Sequence, residues 1–184
     1  MGAASAVRAA SVAPASSGAW PEAPAHLEVS LAAPLPATIR IPRIGVEANV
    51  TELGMDATGR WQVPEEGVGW YWFTGVPGRP GNGVLAGHFD TWWGGQGIFA
   101  RLHEVGAGDH VVVEATSRAG DGSTGTPFTV RYVVTASRVV DRDDVALTAP
   151  TEDERVTLVT CAGWWSFTQN DYTQRRVVTA VRAD

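Results

Sequence analysis

The only cysteine of this 184-residue chain, Cys161, is the side chain best suited to chemistry. It closes the run 156–160, Val-Thr-Leu-Val-Thr, and is followed by Ala162-Gly163. The β-branched and apolar residues of the run predict a strand, and the small dipeptide predicts that the strand ends there. A thiol at the end of a strand can face a cleft, where it could act as a nucleophile.

Two further sites carry the side chains that such a thiol needs. A nucleophilic cysteine requires a group that exchanges a proton and a donor for the developing oxyanion. His88 ends the apolar run 84–87, and Arg175-Arg176 opens another apolar run downstream. Each also has a purely structural interpretation, since Cys161 would fit as a small buried hydrophobe, His88 as a turn residue and either arginine as half of a surface ion pair.

Composition limits the fold and the partners. The 21 glycines and 11 prolines favour many short elements joined by turns, so we expect an all-β fold. The net charge is −6, and no basic stripe interrupts the sequence, which argues against a nucleic-acid partner. A single cysteine allows no intramolecular disulfide, and no Cys/His cluster has metal-ligand spacing, so we expect neither a metal nor a cofactor.

The chain divides into two parts by composition. Residues 1–36 are rich in Ala, Ser, Pro and Gly, without an apolar period or a run long enough to cross a membrane, and we predict a flexible arm or linker. The segment 37–184 is predicted to be one catalytic domain, which begins with the alternating pattern of Ile39 to Val46. The Met1-Gly2 start fits a chain from which an upstream membrane anchor has been removed.

Periodicity and turn residues predict the elements that position the candidate residues. A short helical turn is expected at 97–103, and an acidic turn or short helix at 141–145. Strands are predicted at 39–46, 84–87, 109–115, 126–140, 156–161 and 175–181.

Three local motifs resemble those of the sortase family. They are VLAGH at 84–88, TLVTC at 157–161 and RRVVTA at 175–180, and the segments IPRIGV at 41–46 and FARL at 99–102 add to the resemblance. The likeness covers about Ile39 to Val181. The Gly-Trp-Tyr sequence at 69–71 and His-Phe-Asp at 88–90 most resemble the actinobacterial class F and class E branches.

This resemblance implies a fold and an activity. The fold would be a closed eight-stranded β-barrel with one or two short helices, and the site a groove between the strands of Cys161 and Arg175. Members of the family are cysteine transpeptidases that cleave an LPXTG-type sorting signal between threonine and glycine and join the threonine to an amine. Cys161 would be the nucleophile, His88 would protonate the leaving amine and deprotonate the incoming one, and Arg175 would donate to the substrate backbone and the oxyanion.

Strand periodicity selects one of the two arginines. Consecutive strand residues face opposite sides, so only one arginine can enter the groove. Counting back five residues from Ala180, the small residue of the family's strand, selects Arg175. Arg176 is then expected to be a solvated surface charge.

Five more residues are candidates near the site. The Thr160 hydroxyl is expected to bond substrate or oxyanion, although a β-branched strand former is equally compatible. Asp90 would either orient His88 or cap the loop at 91–95. Tryptophan pairs follow both His88 and Cys161, and we predict that Trp92, Trp93 and Trp164 line the rim of the groove and bind the apolar residues of a peptide. The alternative is that one tryptophan of each pair belongs to the core.

The resemblance also implies partners and a location. The partners would be sorting-signal peptides of surface proteins and an amine of peptidoglycan or a pilin, handled by a membrane-anchored enzyme at the extracytoplasmic face of the cell membrane. Two other functions fit the residues: a thiol hydrolase with water as acceptor, and a non-catalytic barrel that binds peptides or cell-wall material. The complete His, Cys and Arg set argues against the non-catalytic barrel.

Overall fold

The computed structural model describes residues 37–57, 59–118 and 124–183. The predicted arm at 1–36 and most of the expected connection at 119–126 lie outside these residues, so the proposed domain boundary stays a prediction. The described residues form eight strands and three 3₁₀ helices. The strands are β1 (Ala37–Ile41), β2 (Val46–Leu53), β3 (Val68–Tyr71), β4 (Gly81–Ala86), β5 (His110–Arg118), β6 (Thr124–Asp141), β7 (Glu154–Ser166) and β8 (Asp171–Arg182), and the 3₁₀ helices are Pro42–Ile44, Leu102–Glu104 and Val145–Thr148.

The strands close into a barrel in the order β1-β2-β3-β4-β7-β8-β6-β5. The pairs β2/β3 and β4/β7 are parallel, and the other pairs are antiparallel. The predicted eight-stranded barrel with short helices is therefore confirmed. Among the residues that the structure describes, no helix has the length and apolar character needed to cross a membrane.

The barrel interior is filled by one side of each strand. In β1, Ile39 and Ile41 are fully buried and alternate with half-buried residues, which is the two-residue period expected of a strand with one face on the core. Tyr132, Phe99 and Leu158 are the larger side chains that fill the centre. The interior thereby fixes which face of each strand points outward.

A second apolar cluster covers part of the outer barrel surface. Its members come from β2, β3, β4, β7, β8 and the 3₁₀ helix that follows β6, and they are Leu53, Tyr71, Val84, Ala86, Leu147, Val159 and Val177. Strands β4 and β7 are consequently apolar on both faces, which explains why their sequences are continuous rather than alternating. This outer cluster forms the surface beside which the candidate residues emerge.

The prediction that the cysteine strand ends at Ala162-Gly163 was wrong. Strand β7 continues to Ser166, and its pairing with β8 shifts between Ala162 and Trp165, so that Gly163 lies in a β-bulge. Gly163 adopts φ +80°, and a Cβ atom there would lie 2.5 Å from the hydroxyl oxygen of Thr173. Glycine relieves both constraints, so here it marks an irregularity inside a strand rather than its end.

Candidate active site

Cys161 and Arg175 face each other on neighbouring strands. They are directly opposite in the antiparallel β7/β8 pair, and residues opposite each other project to the same face of a sheet. Two residues earlier, Val159 pairs with Val177, and both belong to the outer cluster. The thiol and the guanidinium therefore continue this outer face.

His88 extends the same row on the other side of Cys161. Ala86 is the register partner of Val159 in the parallel β4/β7 pair, and continuing that register by two residues brings His88 level with Cys161. Two bonds hold this extension: Gly87 N donates to the Val159 carbonyl at 3.2 Å, and Phe99 N donates to the His88 carbonyl at 2.9 Å. The segment that follows β4 and the strands β7 and β8 thus carry a histidine, a cysteine and an arginine side by side in that order.

A close backbone approach supports His88 from behind. A Cβ atom on Gly97 would lie 2.2 Å from the His88 carbonyl oxygen and 2.8 Å from the His88 Cβ. Gly97 N also donates to the Phe89 carbonyl at 2.9 Å. Only a residue without a side chain allows these two segments to pack together, which makes Gly97 a structural support of the site that the sequence pattern does not reveal.

The start of β8 holds the Arg175 guanidinium. Nη2 donates to Asp171 Oδ2 at 2.6 Å, and Nη1 donates to the carbonyls of Tyr172 at 3.1 Å and Gln174 at 3.0 Å. The Arg175 side chain is 18% exposed, so the ion pair with Asp171 is partly shielded from water. These bonds engage three of the five N–H groups of an arginine, and the arrangement suits a donor fixed in advance of the reaction.

Opposing effects set the protonation of Cys161. Burial raises the pKa of the thiol, the neighbouring Arg175 guanidinium lowers it, and the Asp171 and Asp90 carboxylates raise it. The net direction is upward from the ordinary value. The thiol form therefore predominates at neutral pH, because burial and the two carboxylates together outweigh the effect of the arginine.

Thr160 and Arg176 occupy the opposite face of the sheet. Thr160 is buried, and its hydroxyl donates to the Gly87 carbonyl at 2.8 Å, a bond that supports the backbone just before His88. The expected bond to substrate or oxyanion stays a prediction. Arg176 pairs with Thr160 and is half-buried, with its Nε atom buried and without a hydrogen-bond partner among the described residues. The expectation of a solvated Arg176 was wrong because this face is still covered at the level of the site.

Asp90 contacts a residue that the sequence analysis did not consider. Its Oδ2 accepts a hydrogen bond of 2.5 Å from the Tyr172 hydroxyl, which raises the pKa of Tyr172 to about 12. The loop at 91–95 is closed instead by Thr91, whose hydroxyl accepts from Gly95 N at 2.8 Å. The hydrogen bond of Asp90 therefore goes to Tyr172, and it serves neither role that we expected for Asp90, orienting His88 or capping this loop.

The tryptophans divide according to position. Trp70 is 4% exposed and belongs to the core, whereas Trp92 is 93% exposed, Trp93 67% and Trp164 70%. Trp165, at 41%, is also exposed, so both members of the pairs after His88 and Cys161 reach the surface. The alternative that each pair contributes one core residue was therefore wrong for these two pairs.

Two open grooves border the outer cluster. One, of about 660 Å³, lies at the end of β6 and the start of β8 and includes Val140, the partner of Arg175. The other, of about 380 Å³, lies beside β2 and includes Leu53 and Phe73. In the described part of the chain, no group of three or more His, Cys, Asp or Glu side chains is placed to hold a metal ion.

A closed barrel with a cysteine opposite an arginine on neighbouring strands, and a histidine two residues beyond the end of the next strand, has the parts of a thiol enzyme. A family model described as the sortase domain matches residues 39–183, and the chain therefore belongs to the sortase family of cysteine transpeptidases. The predicted family is confirmed. No curated protein matches the chain in a sequence comparison.

Solved structures support the same assignment. Sortase A from Corynebacterium diphtheriae, in a lid mutant, is 27% identical with a TM-score of 0.59, over 82% of this chain and 71% of that one. Sortase C-1 from Actinomyces oris is 26% identical with a TM-score of 0.58, over 80% and 71%. The Clostridium perfringens sortase D5 transpeptidase, at 21% identity and a TM-score of 0.59 over 81% and 79%, shares the fold. The class F or class E branch stays a prediction.

Proposed function

We propose that this protein is a transpeptidase that cleaves an LPXTG-type sorting signal between threonine and glycine and transfers the threonine to an amine. The observation that carries the proposal is the pairing of Cys161 with Arg175 on β7 and β8, together with the place of His88 two residues beyond the end of β4, the other neighbour of β7. A thiol with a proton-exchanging group on one side and a fixed cation on the other has the parts needed for acyl transfer.

The reaction uses the three side chains in sequence. The Cys161 thiolate attacks the threonine carbonyl carbon, and Arg175 donates to the oxygen that becomes negatively charged. Protonated His88 gives its proton to the glycine nitrogen as the peptide bond breaks, which leaves a thioester on Cys161. An incoming amine attacks the thioester, His88 removes its proton, and the Cys161 sulfur leaves as thiolate.

The surroundings of the thiol favour a slow enzyme. Burial raises the Cys161 pKa, so only a minority of molecules carry the thiolate at neutral pH. A nucleophile with a raised pKa is intrinsically stronger but less populated. We expect activity to increase as the pH rises toward the thiol pKa, because the fraction of thiolate increases.

The exposed tryptophans support a peptide substrate. Trp92 and Trp93 lie on the loop that follows His88, and Trp164 lies on β7 three residues after Cys161, so exposed aromatic side chains follow both residues in the chain. Such side chains bind the leucine and proline of a sorting signal through apolar contact. The natural setting would be the extracytoplasmic face of the membrane, with a surface protein as acyl donor and peptidoglycan or a pilin as acceptor.

Product analysis tests the proposal. LPXTG-like peptides are incubated with the protein, with and without an amine such as triglycine or a diamine, and the products are identified by mass spectrometry. We expect cleavage after threonine and a new amide when amine is present. Release of the free acid alone in both conditions would support the thiol hydrolase, and no cleavage together with peptide binding would support a non-catalytic barrel.

A further inference from the structure

Tyr172 makes hydrogen bonds toward both sides of the active site. Its backbone carbonyl accepts from Arg175 Nη1 at 3.1 Å, and its hydroxyl donates to Asp90 at 2.5 Å. Asp90 is only two residues beyond His88. One residue therefore connects the segment that follows the histidine with the arginine on the far side of the thiol.

Aromatic packing holds the Tyr172 ring between these two segments. Its centroid lies 5.9 Å from that of Phe89, which neighbours His88, and 5.4 Å from that of Trp165 on β7. Both contacts are edge-to-face, the arrangement that aromatic pairs favour. The ring is thus contacted by β7 and by the segment after β4, while its backbone belongs to β8.

Asp171 completes the connection. Its Oδ1 accepts from Tyr172 N at 2.6 Å, and its Oδ2 accepts from Arg175 Nη2 at 2.6 Å. The carboxylate thus fixes the Tyr172 backbone and the Arg175 guanidinium relative to each other. Displacement of Tyr172 is therefore expected to be transmitted to Arg175.

We propose that Tyr172 and Asp90 are positioning residues, whose hydrogen bond sets the separation of His88 and Arg175 across Cys161. This rests on the proposed transpeptidase function. Neither residue is assigned contact with the reacting atoms. They act by holding two groups that must meet the same tetrahedral intermediate, and small errors in such an arrangement are costly because the donor and the acid must be aligned together.

The test compares conservative variants by steady-state kinetics with an LPXTG-type peptide. In Tyr172→Phe the ring stays and the hydroxyl is lost, and we expect kcat to fall about tenfold with KM changed by less than about twofold, since the interaction matters for the reacting geometry rather than for substrate binding. Asp90→Asn keeps an acceptor oxygen and should retain kcat within about threefold. Asp90→Ala loses the same charge as Asp90→Asn and also the acceptor oxygen, so its kcat should be lower than that of Asp90→Asn, and adding Tyr172→Phe to Asp90→Ala should cause no further loss.

Tyr132 provides a matched control. Its hydroxyl also donates to a carboxylate, Glu154 Oε1 at 2.9 Å, and accepts from Gly78 N at 2.8 Å. Glu154 is the first residue of β7, about 23 Å from Cys161 at the usual rise per strand residue. Tyr132→Phe should lower the melting temperature yet leave kcat unchanged, which separates loss of stability from loss of positioning.

A measurement without substrate keeps this inference separate from the proposed function. Alkylation of Cys161 by iodoacetamide at fixed pH should be at least twofold slower in Tyr172→Phe than in wild type, because a less firmly held Arg175 favours the thiolate less, and unchanged in Tyr132→Phe. If the wild-type protein cleaves no peptide, the proposed function is wrong, and the alkylation rates alone then test the positioning role of Tyr172 and Asp90. The positioning role would be overturned if Tyr172→Phe kept the wild-type kcat or the wild-type alkylation rate. It would also be overturned if kcat were as low in Asp90→Asn as in Asp90→Ala.

Discussion

An alanine at Gly163, in the bulge of β7, would have two separate costs, one from its positive φ angle and one from close contact with Thr173. Gly163 has φ +80°, a conformation that costs a residue with a Cβ about 1–2 kcal/mol. The new Cβ would also lie 2.5 Å from Thr173 Oγ1. That hydroxyl accepts from Trp164 N at 3.3 Å, so moving it away costs about 1 kcal/mol more.

We therefore expect Gly163→Ala to reduce the free energy of unfolding by about 2–3 kcal/mol, as measured by urea denaturation. Gly45→Ala is the matched control, since Gly45 has φ +68° and no atom lies within 4 Å of its would-be Cβ. Gly45→Ala should reduce the free energy of unfolding by about 1–2 kcal/mol, the cost of the positive φ angle alone. Removing the hydroxyl with Thr173→Ala should restore about 1 kcal/mol to Gly163→Ala in a double-mutant cycle.

Equal losses of unfolding free energy in Gly163→Ala and Gly45→Ala would show that contact with Thr173 adds no cost. So would a Thr173→Ala substitution that restores no stability to Gly163→Ala. The bulge begins two residues after Cys161, so activity provides a second readout. Gly163→Ala should lower kcat at temperatures where the variant remains folded, whereas Gly45→Ala should not.

Three further predictions concern the thiol, its partners and the arm. Iodoacetamide alkylation of Cys161 should show a pH midpoint above the ordinary thiol pKa of about 8.5. Asp90→Asn should lower this midpoint by removing a negative charge, and Arg175→Gln should raise it by removing the positive charge. The opposite order of the two variants would show that these charges do not set the thiol pKa. His88→Ala should reduce kcat about 10²–10⁴-fold and Arg175→Ala about 10²–10³-fold, measured by peptide cleavage, with each variant checked for an unchanged circular dichroism spectrum. Deleting the predicted arm at 1–36 should leave the melting temperature nearly unchanged, and a large drop would show that the arm belongs to the fold.

Sequence patterns predicted the elements whose two-residue period is clear. The alternation from Ile39 predicted a strand at 39–46, but the strand ends at Ile41, because Pro42–Ile44 forms a 3₁₀ helix before β2 begins. Arg175 was chosen over Arg176 by counting along the family's strand, and Arg175 is the arginine that pairs with Cys161. In β1 one face of the strand is apolar, and that regularity is visible in the local sequence. In β8 both faces carry buried valines, so the period alone does not choose between the two arginines.

Other parts of the site depend on contacts that local sequence does not encode. A glycine after an apolar run usually ends a strand, so the continuation of β7 through a bulge at Gly163 could not be distinguished from a turn. Tyr172 and Asp90 are 82 residues apart, and only the closed barrel brings them together. The partly buried Arg176 was missed because its exposure depends on what covers the far face of the sheet.

Intact-mass spectrometry of the protein after incubation with an LPXTG-type peptide tests whether Cys161 forms an acyl-enzyme. We expect an adduct whose mass corresponds to the peptide up to threonine, joined with loss of water and located on Cys161 by peptide mapping. The adduct should disappear on adding an amine, and Cys161→Ala should form no adduct and no cleavage product while keeping its fold. Cleavage that persists in folded Cys161→Ala would show that Cys161 is not the nucleophile.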